Sequence, residues 1–129
     1  MSNYKVKLEN IAAGVSKNGI FISKDLMQKA ITSFMEGGKP FGILQKKELS
    51  MRIDSICMNV NNIEIEENGD IMADISPTSN YCGKLLSAMM SEKENHKFIK
   101  FGVVGWYNKP KNNSQKVDDF VILHLDVCY

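Results

Sequence analysis

The stretch from Phe98 to Trp106 (FIKFGVVGW) limits what this chain can fold into more than any other. It reads as a buried strand broken by two glycines, Gly102 and Gly105. Glycine inside a strand gives up side-chain packing, so it marks a bulge or a place where a second backbone comes close. The chain must therefore build a sheet around this strand, and other segments must supply its partners.

Those partners are legible as alternating patterns. Tyr4, Val6 and Leu8 alternate with Lys5, Lys7 and Glu9, the period of a half-buried strand. Ile11 to Val15 is small and apolar, and Ser16 to Gly19 reads as a turn. Phe41 to Leu44 is a short strand after Pro40, with polar Gln45 to Glu48 behind it, and Ile53 to Val60 is another. Ile63 and Ile65 alternate with Glu64 and Glu66 up to Asn68-Gly69, a tight-hairpin signal, and Ile71, Ala73 and Ile75 return. Phe120 to Tyr129 closes the chain as a long strand with Val121, Leu123, Leu125 and Val127 on one face.

Two helices interrupt these strands. Ser23 is suited to cap the first, and Asp25 sits where the positive end of the helix dipole favours an anion. Leu26, Met27, Ala30, Ile31 and Phe34 form one apolar stripe, and Gly37-Gly38 stops the helix. The second runs from Gly83 to Ser91 after a Pro77–Asn80 loop, with Leu85, Leu86, Met89 and Met90 inward. Glu92 to Asn95 is a solvated connection. The fold expected is α+β: a mostly antiparallel, barrel-like sheet of about six or seven strands with two short helices. With 129 residues and no linker or repeat, residues 1–129 form a single domain.

Composition excludes several classes of function. Sixteen Lys+Arg against fifteen Asp+Glu leave a net charge of +1, without the basic excess of a protein whose main partner is nucleic acid. No apolar run is long enough to span a bilayer and no secretion signal opens the chain, so it is expected to be a soluble protein made in the cytoplasm. Cys57, Cys82 and Cys128 are widely spaced and include no C-x-x-C pair. With His96 and His124 the only histidines, the expectation is reduced thiols and neither metal nor cofactor.

Candidate chemistry is sparse. His124 and Asp126 stand two apart on one strand, which is suited to orienting an imidazole, although a polar pair on the wetter strand face accounts for them more simply. His96 belongs to a charged connection. No serine sits in a nucleophile elbow. Glu66-Glu67 and Asp118-Asp119 read as solvated charge. Gly102 to Gly105 leads into no helix and so makes no phosphate loop. Trp106-Tyr107 beside Lys109 and Lys111 reads as a strand end followed by an exposed turn.

The order of elements resembles the prohead maturation proteases of tailed bacteriophages, relatives of the herpesvirus assemblins. The resemblance covers roughly residues 17–107: Asn18 to Leu26 running on to Ala30, Phe41 to Leu44, the Ile63–Ile75 hairpin, Thr78 to Leu86 with Gly83 inside, then Phe98 to Gly105. It implies a catalytic histidine at Gln45 or Lys46 and a catalytic serine at Ile99 or Lys100. Neither pair of positions carries the family residue. Because nucleophile and base act as a unit, the expectation is a catalytically inactive relative with no catalytic residues. The resemblance implies a non-enzymatic auxiliary or decoration protein of the capsid. It would be made in the host cytoplasm and sit in many copies on the virion, with the major capsid protein or other virion proteins as partners. Two alternatives are an active protease with relocated residues, His124 among them, and a small effector that binds a host protein.

Overall fold

The computed structural model describes residues 3–14, 21–37, 40–44, 56–107, 117 and 119–128. Six strands close into a barrel: β1 (Tyr4–Ala12), β2 (Phe41–Leu44), β3 (Ile56–Ile65), β4 (Asp70–Pro77), β5 (Lys100–Tyr107) and β6 (Phe120–Cys128), in the order β1-β4-β3-β2-β6-β5. Closure removes the exposed strand edges that an open sheet would leave.

The sheet is mixed, which corrects the expectation of a mostly antiparallel one. β1 runs parallel to β5, and β2 runs parallel to β6. Alternation along a strand reports which face is buried and carries no information about a distant neighbour's direction. The stretches expected as separate strands before and after Val60 are one strand, β3. It continues through a register shift between Val60 and Asn62, so six strands are present among the described residues. The hairpin of β3 and β4 turns at Asn68-Gly69 as its sequence requires, with Gly69 at φ 93°.

β6 departs from its expected face. Val104 pairs with His124 and Gly105 with Ile122, which leaves Leu123 as the extra residue of a bulge. Because side chains alternate strictly, one extra residue moves the rest of the strand to the other face. Val121 and Leu123 are accordingly exposed, while Leu125 and Val127 are fully buried. The barrel interior is filled by these two with Leu8, Met58, Ala73 and Ile75.

α1 (Lys24–Glu36) is capped by the Ser23 hydroxyl, which accepts from the Leu26 N–H at 3.2 Å, and it buries Met27, Ala30 and Ile31. α2 (Tyr81–Ser91) starts earlier than its apolar stripe suggests, because the Asn80 side chain accepts from the Gly83 N–H at 2.9 Å. In the connection after α2, Glu92, Lys93 and Glu94 are exposed, as expected, while Asn95 is half-buried, and the segment winds into a 3₁₀ turn over Lys93–Lys97. The turn expected at Ser16–Gly19, Gly38, Gln45 to Asp54 and the polar loop 108–116 lie outside the described residues.

Candidate functional site

The two strand ends that matter for the expected chemistry meet at one end of the barrel. Leu44 on β2 pairs with Val127 on β6, and Val127 pairs with Phe101 on β5. The end of β2 and the start of β5 are therefore separated by the width of one strand, about 9–10 Å from axis to axis. Gln45 and Lys46, the positions matched to a catalytic base, lie just beyond Leu44 and outside the described residues.

The positions matched to a nucleophile are described. Ile99 is buried, with 6% of its surface exposed. Lys100 is exposed, and its ammonium pairs with the Glu9 carboxylate at 3.1 Å. A hydrocarbon has no attacking atom. A lysine that attacks as a free amine needs an apolar pocket, and this one stands in water beside a carboxylate.

His124 is buried, which corrects its assignment to the wetter face of the strand. The bulge at Leu123 turns its imidazole toward Phe41, with ring centroids 5.8 Å apart and planes inclined by 19°. Its Nδ1–H donates to the Leu125 carbonyl at 2.9 Å. Asp126, two residues on, is half-buried; burial raises its carboxyl above the ordinary value and His124 acts in the opposite direction. His96 is exposed, and its Nε2–H donates to the Met90 carbonyl at 2.7 Å. Among the described residues, no hydrogen bond joins either histidine to a hydroxyl or thiol.

The remaining candidates are dispersed. Cys57, Cys82 and Cys128 are not joined in disulfides, and burial, with a contribution from Cys82, pushes Cys57 up to about 12. No three His, Cys, Asp or Glu side chains among the described residues are grouped to hold a metal ion. Glu66, Glu67 and Asp119 are exposed, and Asp118 lies outside the described residues. Trp106 projects outward opposite Val121, about half exposed.

Both strand glycines answer to close approach. A Cβ on Gly105 would lie 2.5 Å from the Val121 carbonyl oxygen. A Cβ on Gly102 would lie 2.9 Å from Asp126 Oδ1 and 3.0 Å from Asn10 Oδ1. Asn10 is the residue that sequence reasoning missed. Its carboxamide donates to the Val103 carbonyl at 2.8 Å and accepts from the Val103 N–H at 2.9 Å, as a neighbouring strand would. Around Gly102 these residues line an open groove of about 400 Å³ with Glu9, Lys100 and Cys128 on its rim.

No protein-family model matches this chain, and no curated protein matches it in sequence. The fold does have a solved counterpart, the capsid assembly protease gp21 of bacteriophage T4. That structure is similar at a TM-score of 0.64 and 12% sequence identity, over 97% of this chain and 81% of the protease.

Proposed function

We propose that this protein is a non-enzymatic component of a phage virion: an auxiliary or decoration protein of the capsid, built on a prohead-protease-like barrel that no longer cleaves. The observation that carries this reading is a conjunction. The barrel is similar to a phage capsid assembly protease along nearly its whole length. Yet the positions matched to the nucleophile hold buried Ile99 and ion-paired Lys100. Those matched to the base are Gln45 and Lys46. A barrel with that kinship and those residues is suited to binding a capsid partner and unsuited to acyl transfer, which needs a nucleophile within hydrogen-bond reach of a base.

The outer surface fits such a role. Trp106 and Val121 face each other across β5 and β6 with Leu123 beside them, all 42–54% exposed. Aromatic side chains such as Trp106 are enriched where proteins meet, and contiguous exposed apolar surface marks such places. The partner is then the major capsid protein or another virion protein, and the protein is present in many copies per particle.

The test is co-sedimentation. Heads purified from the phage that encodes this chain should contain it in stoichiometric, repeated copies, and empty shells assembled in vitro should capture it. Absence from purified virions, with stoichiometric recovery of one host protein instead, would replace this reading with that of a host-directed effector.

A further inference from the structure

The groove over Gly102 is assembled by irregularities in the strands. Lys7 pairs with Met72 and Ala12 with Asp70, so five steps along β1 face two along β4. The surplus residues carry Glu9 and Asn10 out over the start of β5, the usual effect of a bulge on side-chain aim. Two hydrogen bonds to Val103 then fix the Asn10 carboxamide. Asp126 enters from the other side, opposite Gly102 in the β5–β6 register.

Two oxygens of different chemistry thus converge above a residue without a side chain. Asp126 Oδ1 and Asn10 Oδ1 lie within 3.0 Å of the same point. Asn10 Oδ1 accepts one hydrogen bond from the Val103 N–H and keeps a second lone pair. Among the described residues, no lysine or arginine forms an ion pair with Asp126; those formed are Lys5–Glu64, Lys7–Asp70 and Lys100–Glu9. A half-buried carboxylate beside an amide oxygen calls for a flat cation with several N–H donors. Guanidinium meets that need better than ammonium, because its donors are fixed in one plane and reach two acceptors at once.

We propose that this groove binds an arginine side chain presented by a protein partner, held between the Asp126 carboxylate and the Asn10 amide oxygen. Gly102 is the floor that leaves room for it, and the Lys100–Glu9 pair forms the rim. The site is a property of the barrel and stands whether or not the chain is a virion protein.

The test titrates Nα-acetyl-arginine amide into the full chain labelled with ¹⁵N, in low salt, and follows the amide resonances. Saturable shifts are expected at Gly102, Val103 and Asp126. Nα-acetyl-citrulline amide, which has nearly the same shape and no charge, should leave them unmoved. Asp126→Asn should weaken arginine binding about tenfold or more, the size of a lost charge-assisted hydrogen bond, and Gly102→Ala should weaken it by filling the floor. Equal shifts with citrulline, or no saturable shift with arginine, would overturn the proposal. So would unchanged affinity in a folded Asp126→Asn protein. The arginine–citrulline contrast on the unsubstituted chain decides the matter even if a variant does not fold.

Discussion

Asn10→Ala gives the sharpest test of how this barrel is closed. β1 and β5 share one aligned pair, Leu8 with Phe101, and the Asn10 carboxamide is the next tie along the seam. Truncation leaves both the N–H and the C=O of Val103, a residue 8% exposed, without their partner. Orphaning a buried polar group costs about 1–3 kcal/mol. Asn10 itself lies at the surface, so water can enter the vacated space, and the lower end applies to each group. The expected loss is about 2 kcal/mol in urea unfolding, or roughly 6–8 °C in Tm for a domain of this size. Asn10→Asp should cost at least as much, because it removes the donor and sets a carboxylate oxygen against the Val103 carbonyl. Native-state hydrogen exchange should show the Val103 amide losing protection while the hairpin amides of β3 and β4 keep theirs. A loss below about 0.5 kcal/mol, with Val103 exchange unchanged, would refute the claim that this side chain replaces strand pairing.

Three further outcomes follow from the packing. Leu125→Ala removes a fully buried side chain from the barrel interior and should cost about 2–5 kcal/mol in chemical denaturation; a cost under 1 kcal/mol would mean that the β6 face is assigned wrongly. Gly83→Ala would place a Cβ 1.9 Å from the Thr78 carbonyl oxygen, where only backbone movement relieves the clash, and should destabilise by about 1–3 kcal/mol, with no loss contradicting that close approach. Cys57 is held neutral by burial up to about 12. Above pH 9 the unfolded chain ionises this thiol while the folded one retains its proton, so its contribution is intact below pH 9 and declines toward pH 12. Cys57→Ala should flatten that part of the stability profile, and an unchanged slope would contradict the assignment.

Local chemistry made the helices and the hairpin legible. Ser23 before an apolar stripe, and Asn68-Gly69 between two alternating runs, specify their structures within a few residues, and α1 and the β3–β4 turn follow them. What stayed hidden depends on distant partners. The parallel pairings of β1 with β5 and β2 with β6 join segments far apart in sequence, so alternation does not reveal them. The bulge at Leu123 reverses the faces of β6 and buries His124, although one extra residue leaves no compositional mark. Asn10 reads as an ordinary polar strand position until Val103 is seen beside it. The glycines of β5 did signal close approach, and Gly102 was the one legible trace of the groove that Asn10 and Asp126 complete.

Intact-mass spectrometry after treatment with a serine-directed fluorophosphonate asks whether the proposed absence of a working nucleophile holds in this barrel, whose fold is similar to that of a capsid assembly protease. The expected result is a chain of unchanged mass, alone and in the presence of assembled capsid precursors. A stoichiometric adduct that disappears in the denatured protein and in His124→Ala would contradict it, because it would place a working nucleophile and base in the folded molecule.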